Sequence, residues 1–358
     1  MLSLFQNKKI HAIGLDVSNV SIKVMDLTKK DGRLFPSAYH NQSLPGNLIA
    51  NHMIVSEDKL AEQIKRTVSM AGRINTHFAV VSIPEGKSFV RIIKIPKMNP
   101  SEIDGALPWE LEQDIPVPID QVYMDWQILS EESDKMNLLV LASPKDYIDA
   151  LIETLKMANI KPVALELESQ ATARALIGKQ DLSEPVMILD ISAVQTTFII
   201  VENGNLTYTS SIPIAGNAFT ESIARNFAIP ASEAEKLKRE AGLVGESKKG
   251  NIRQAILPIL DNIIDEIRNI AHFYEEHTPH HAKISKIYIS GGSAKLSGLV
   301  DYVSVRMNLG SGKVFGRVAL GNPWTNIVGS AKDRLPMNSS EALDYSTAAG
   351  LALRGVEL

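Results

Sequence analysis

Two distant stretches of the chain repeat one pattern of apolar and polar positions. In the first, an apolar run from Ile10 to Leu15 ends in Asp16, and Ser21 to Leu27 alternates as a second strand. Lys29-Lys-Asp-Gly32 is a hairpin signal, because Gly32 can take positive φ, and a third strand follows. In the second, Val186 to Leu189 is apolar and ends in Asp190; Thr196 to Val201 and Leu206 to Ile212 are strands joined across Glu202-Asn-Gly204. Leu15-Asp-Val-Ser18 and Leu189-Asp-Ile-Ser192 match residue type for residue type at the same edge of each pattern. Such a repeat predicts an α/β protein of two related halves.

Between the halves the pattern changes. Ser88 to Ile95 reads as a strand stopped by Pro96, and Ser101-Glu-Ile-Asp104 as a helix N-cap. Pro108 and the Ile115 to Pro118 cluster interrupt that helix. Val122 to Leu129 and Asn137 to Ala142 predict paired strands. Pro144 then opens a helix striped by Tyr147, Ile148, Leu151, Ile152, Leu155 and Ala158. Residues 87–163 are therefore expected to form an inserted subdomain. After the second strand set come helices, one capped by Ser232 to Glu235 and one striped by Leu257, Leu260, Ile264, Ile267 and Ala271. A strand from Ile284 to Ile289 runs into Ser290-Gly-Gly-Ser293, and a last helix spans Ser340 to Arg354.

Size and charge narrow the class. A chain of 358 residues is comfortable for two cores. A net charge of -4 without a basic stripe argues against nucleic acid as a partner. The absence of cysteine excludes disulfides and thiolate metal sites and suits a reducing cytoplasm. No apolar run is long enough to cross a bilayer. Leu2, Leu4 and Phe5 ahead of Lys8 and Lys9 could touch a membrane surface or form a plain leader to the first strand.

Candidate chemistry centres on the turns. A tight turn between strands presents backbone N–H groups that can cup phosphate oxygens. A carboxylate beside such a cup would repel phosphate, so Asp16 and Asp190 are read as Mg2+ ligands, direct or through water. Gly291 and Gly292 let a flat group lie on bare backbone, with a helix beginning near Ser293 aiming N–H donors at it. His272, His277, His280 and His281 cluster without tight ligand spacing and read as solvated surface. Trp109, Tyr123 and Trp126 either line a peptide groove or fill the inserted subdomain's core.

These segments resemble the actin-like ATPases, the superfamily of actin, the Hsp70 nucleotide domain, sugar kinases, FtsA and PilM. Gly14 to Val24 looks like the first phosphate loop, with Ser18, Asn19 and Lys23 as cofactor contacts. Leu189 to Thr197 looks like the second, with Ser192, Ala193 and Thr196, and Ala215-Gly216 stands where that family closes the hairpin with paired glycines. Tyr288 to Gly298 looks like the adenosine loop, adding Lys295 to Gly291, Gly292 and Ser293. Glu235 and Lys238 fall where the family surrounds the adenosine, and Glu168 matches the acid that orients attacking water. Ser18 and Ser192 depart from the family's glycines, and a required positive φ would be costly there.

Within the superfamily the pattern is most like the PilM family, on Ile95-Pro, Ser101-Glu-Ile, Trp109-Glu and Ile115-Pro. The resemblance implies an actin-like fold with a central nucleotide cleft. Its first subdomain, 1A, spans 1–86; an SHS2-like 1C insertion spans 87–163; 164–184 returns to 1A. Subdomain 2A spans 185–216 and 284–335 around 2B at 217–283, and 336–358 ends in 1A. It further implies ATP and Mg2+ as cofactors, while the departures at Ser18 and Ser192 lead to the expectation that turnover is slow or undetectable. The implied partner is the cytoplasmic tail of a PilN-like single-span membrane protein, with pilus motor components beyond it. The chain would then be cytoplasmic and peripheral at the inner membrane. The rival readings are an FtsA-like filament former and a sugar-kinase-like phosphotransferase.

Overall fold

The computed structural model describes residues 10–50, 52–112, 115, 117–245, 250–278, 281–308, 316–327 and 335–358. Leu2, Leu4, Phe5, Lys8 and Lys9 of the leader, and His280 of the histidine cluster, lie outside the described residues. The chain divides into two compact units: Met1–Arg174 with Ile327–Asp333 and Thr347–Leu358, and Ala175–Asn326 with Arg334–Ser346.

The first unit begins with β1 (Ile13–Val17), β2 (Ser21–Lys30) and β3 (Arg33–Ser43). A minor hairpin, β4 (Ile49–Ala50) and β5 (Met53–Ile54), leads to α1 (Glu57–Met70) and β6 (Phe78–Ile83). Next come β7 (Phe89–Pro96), α2 (Pro100–Leu111), β8 (Val122–Glu131) and β9 (Lys135–Pro144), then α3 (Lys145–Met157), β10 (Lys161–Leu167) and α4 (Glu168–Leu176). The second unit has β11 (Val186–Ile191), β12 (Thr196–Glu202) and β13 (Asn205–Ile212). It continues through α5 (Gly216–Phe227), α6 (Ala231–Ala241), α7 (Ile252–His277), β14 (Lys286–Ser290), α8 (Leu299–Asn308), β15 (Arg317–Leu320) and α9 (Ser339–Ala342). Helix α10 (Ser346–Gly355) closes the chain.

The repeat is real at the level of topology. One sheet runs β10-β6-β1-β2-β3 and the other β13-β12-β11-β14-β15. In both, the opening strand pairs antiparallel with its successor and parallel with the strand that follows the helices. Both hairpins turn on two residues at positive φ, Asp31 and Gly32 in one, Asn203 and Gly204 in the other. Those dihedrals give the primed turns whose twist matches the flanking strands.

Each sheet buries the alternate apolar positions that the pattern marked. In the first unit, Ile13, Leu15, Ile22, Val24 and Val81 pack against Leu60 and Ile64 of α1 and Leu151 and Leu155 of α3. In the second, Met187, Leu189, Phe198 and Ile287 share one core with Phe219 and Ile223 of α5 and the stripe of α7. Helix α10 packs on β1 and α4 through small residues. A Cβ on Gly350 would lie 1.7 Å from the Ala171 carbonyl oxygen, and one on Gly14 would lie 2.2 Å from that of Ala348.

Several local expectations shift. Helix α3, expected inside the 87–163 insertion, packs instead into the first unit's core, and β10, a strand not expected from the sequence, joins that unit's sheet. The separate piece is β7, α2, β8 and β9, with a core of Ile95, Ile103, Leu107, Leu111, Met136, Leu138 and Val140. The hydroxyls of Ser88 and Ser143, 2.8 Å apart, join its two ends. Helix α2 is capped by Asn99 with Glu102, two residues earlier than Ser101, and it runs through Pro108 to Leu111. Pro230, rather than Ser232, precedes α6. The last helix is broken by a 3-10 turn at Leu343–Tyr345. Among the described residues no helix is long and apolar enough to cross a membrane.

Candidate functional site

In the first unit, Asp16 lies at the carboxyl end of β1, opposite Lys23 in the antiparallel register. The Lys23 ammonium donates to Asp16 Oδ2 at 3.1 Å, and the Ser82 hydroxyl at the end of β6 donates to Oδ1 at 3.0 Å. Ser82 also accepts from the Val17 N–H at 3.0 Å. Asp16 is 3% exposed, so these bonds meet the requirement that a buried carboxylate be paired. Ser82 lies 66 positions away in sequence, and no linear signal marked it.

The turn after Asp16 closes on itself. Ser18 N–H donates to the Ser21 carbonyl at 2.9 Å, Ser18 Oγ donates to the same oxygen at 3.0 Å, and Ser21 N–H donates to Ser18 Oγ at 3.2 Å. Asn19 is the half-buried residue between them. In the second unit Ser192 and Gln195 repeat all three bonds, at 3.0, 2.8 and 3.1 Å. Neither serine is at positive φ. The expected strain of serine in place of glycine is therefore absent; the hydroxyl is a structural part of the turn.

The rest of the second unit's group converges on the start of α5. The Ser192 carbonyl accepts from Gly216 N–H at 3.1 Å and from the Ser293 hydroxyl at 3.2 Å, and the Ala193 carbonyl accepts from Asn217 N–H at 2.8 Å. Thr196 Oγ donates to the Ile214 carbonyl at 2.6 Å. A Cβ on Gly216 would lie 2.5 Å from Ser293 Oγ. Gly291, at φ +83°, has no room for one either, with the Ile191 carbonyl oxygen 2.5 Å and Asp190 Oδ1 2.8 Å from that position. The two elements expected to flank a ligand thus meet through bare backbone. Gly291 and Gly292 lead into a 3-10 turn, Gly292–Lys295, and helix α8 starts only at Leu299. N–H donors at this loop therefore come from a single turn. Lys295 pairs with Asp344.

Lys238 sits beneath α5. Its ammonium donates to the Gly216 carbonyl at 2.9 Å and Thr220 Oγ1 at 2.8 Å, and pairs with Glu235 Oε2 at 2.6 Å, which uses all three donors. Burial pulls Lys238 below its usual value, while the Glu235 contact pulls the other way. For Glu235, burial pushes upward but is outweighed by hydrogen bonds from Lys238, Thr220 and Arg239, leaving it at about 2. This pair anchors α6 to the first turn of α5.

Glu168 begins α4, and the adjacent Ser169 hydroxyl donates to Glu85 Oε1 at 3.1 Å. Burial, then the charges of Glu168 and Asp16, raise the phenol of Tyr147 on α3 far above its usual value. Glu168 and Asp16 thus act electrostatically on one buried side chain within the first unit. Among the described residues no three His, Asp or Glu side chains are grouped to hold a metal ion.

The three aromatics of the insertion do not share a face. Tyr123 and Trp126 are an odd number of positions apart on β8, so the strand points them oppositely. Tyr123 is 47% exposed and donates to Asp149 Oδ1 at 3.1 Å; Trp126 packs against the subdomain core and donates to Asp104 Oδ1 at 2.7 Å. Trp109 on α2 stands 79% exposed.

FtsA of Bacillus subtilis is 27% identical over 103 residues, spanning 29% of this chain and only 23% of its own length. FtsA of Pseudomonas aeruginosa is 22% identical across 100% of this chain and 91% of its own. MreB5 of Spiroplasma citri, solved bound to AMPPNP, superposes with TM-score 0.56 at 15% identity over 97% of this chain and 96% of its own, which shows the actin-like fold. A structure described as a PilM-PilN type IV pilus biogenesis complex superposes with TM-score 0.83 at 25% identity, covering 98% of this chain and 100% of that one. The model of the family "Type IV pilus assembly protein PilM" matches residues 14–356, and the chain belongs to that family.

Proposed function

We propose that this chain is an ATP-binding scaffold of the type IV pilus inner-membrane platform, held at the cytoplasmic face by the N-terminal tail of a PilN-like membrane protein. The observation that carries the partner reading is the likeness, over nearly the whole chain, to the structure of a PilM-PilN complex. Pilus motor components would engage the scaffold from the cytoplasm. Calorimetry of the intact chain with a synthetic partner tail, with and without ATP and Mg2+, tests this directly; absence of tail binding in both conditions would overturn it.

The nucleotide reading is supported by the duplicated turn, in which Asp16 with Ser18 and Asp190 with Ser192 occupy equivalent positions. The residues fit a metal that arrives with its nucleotide. Mg2+ retains waters and takes one or two carboxylates plus phosphate oxygens. Asp16 already accepts from Lys23 and Ser82, so its remaining lone pairs suit a bond to metal-held water better than a full ligand set. When bound, Mg2+ would neutralise charge between phosphate oxygens. Lys23 would compensate phosphate charge, and the Gly291 and Gly292 backbone would accept the flat face of the base.

Hydrolysis is proposed to be slow. Fast turnover needs donors and a water aimed at the transferring phosphoryl group, and Glu168 is the residue assigned to that water. An FtsA-like filament former is the second reading, favoured by the FtsA matches; ATP-dependent polymerisation followed by light scattering separates the two.

A further inference from the structure

One end of the first unit gathers cations that lie scattered in the sequence. Strands β1, β6 and β10 are parallel, so their amino ends lie together. Strand β2 runs antiparallel to β1 and delivers the β2–β3 hairpin to the same end. Helices α1 and α3 lead back to β6 and β10, so their carboxyl ends arrive there too. Thr76 Oγ1 donates to the His11 carbonyl at 2.8 Å, and Lys161 N–H donates to the His77 carbonyl at 2.8 Å, which ties the three strand starts to one another.

The hairpin contributes Lys29, Lys30 and Arg33, and the connection from α1 to β6 contributes Arg73, all exposed. Lys161 opens β10, 5.6 Å from the Phe78 ring centroid, and Lys65 and Arg66 stand on the outer face of α1. The exposed acids here are Asp31, Glu62, Glu153 and Glu357, and Glu153 is taken up by Lys156. Cations therefore keep a clear surplus at this end, although the whole chain carries a net charge of -4. Among them stand two exposed thioethers, Met70 at the end of α1 and Met157 at the end of α3, 53% and 41% exposed.

A negative chain is repelled by a negative surface at long range, so attraction has to come from a local face within a Debye length of it. Phosphates of either nucleic acid or lipid would reward the cations, but the acyl boundary of a bilayer also rewards the methionines. The turn that carries Asp16, with Ser82 beside it, lies at the carboxyl ends of β1 and β6, the opposite end of this sheet. A bilayer on the basic end leaves that turn uncovered.

We propose that this end of the first unit rests directly on a bilayer containing anionic phospholipid, with the cations against headgroup phosphates and Met70 and Met157 at the acyl boundary. Such contact goes beyond anchoring by a partner tail and does not depend on it.

The test is cosedimentation of the intact chain, without partner tail, with phosphatidylcholine vesicles and with vesicles in which roughly a third of the lipid is phosphatidylglycerol. Partitioning should be about tenfold stronger on the anionic vesicles at low salt, and the difference should shrink as salt rises. Lys29→Glu with Lys30→Glu, and separately Arg73→Glu with Lys161→Glu, should each weaken it about tenfold. Lys236→Glu with Lys283→Glu, an equal charge change on exposed residues of the second unit, should cost far less. Unchanged thermal denaturation midpoints would show each fold intact, and the two separate pairs guard against failure of one. Equal partitioning on both kinds of vesicle overturns the proposal, as does a loss no greater in the first-unit pairs than in the second-unit pair. Binding to a nucleic-acid duplex that these pairs abolish, without vesicle binding, overturns it in favour of nucleic acid. Tail binding is titrated separately, so its failure leaves the lipid contact standing and the reverse holds equally.

Discussion

Ser192 and Gln195 are joined by three hydrogen bonds, two of them through the serine hydroxyl, and the turn they close is the one that follows Asp190. A glycine here would keep the backbone bond and lose the other two. Ser192→Gly is therefore expected to destabilise the protein by about 1–2 kcal/mol, through the lost bonds and the added backbone freedom. Its ATP affinity should fall rather than improve. Urea denaturation and calorimetry on the same preparation check both, and tighter ATP binding by the glycine variant would contradict the hydroxyl's role.

Asp16 is expected to contribute to binding only when metal and nucleotide are both present. Asp16→Ala should weaken Mg·ATP by about 1.5–3 kcal/mol, the range of a charge-assisted contact. Mg2+ alone should give no measurable heat, because its coordination needs phosphate oxygens. Titrating Mg2+ into protein without nucleotide decides this, and saturable heat there would rule out a nucleotide-borne metal.

Glu235 ties stability to acid. Its ordinary value is 4.5, and in the folded chain it is lowered to about 2. A carboxyl depressed on folding contributes stability that is complete above the unfolded value and is lost as pH falls through the folded one. Denaturation midpoints should therefore drop between about pH 4.5 and pH 2, and Glu235→Gln should flatten part of that drop. The side chain is 32% exposed, so solvent screening keeps the effect modest. Equal acid sensitivity in both proteins would show that the Lys238 pair does not report on folding.

Replacing Phe89–Ala142 with a short linker should remove partner-tail binding and leave ATP binding measurable. Ser88 and Ser143 already touch, so the first unit's sheet can close without its insertion. Retained tail binding would move the partner site off the insertion.

Single-turnover assays should find hydrolysis slow or undetectable with and without the partner tail, and Glu168→Ala should change it little. A bound nucleotide that is not consumed can still favour one state through its differential affinity. Rapid, repeated turnover that depends on Glu168 would make this protein an enzyme.

The sequence alone was enough for the duplicated three-strand unit, both positive-φ hairpins, the paired aspartates and the Gly291-Gly292 turn. These follow from local chemistry: strand alternation shows which face is buried, and only certain residues take left-handed dihedrals. The tertiary structure decided what depends on distant partners. Ser82 holds Asp16 because β6 lies parallel to β1, a pairing across 66 positions that no local pattern encodes. The odd spacing of Tyr123 and Trp126 on their strand already implied opposite faces, but their partners, Asp149 and Asp104, came only with the fold. Helix α3 carried the same apolar stripe under either reading, because a stripe shows that a helix is buried and not against what. Here that was α1 and β1 of the first unit, since β10 returns beside β6 and brings α3 onto that sheet.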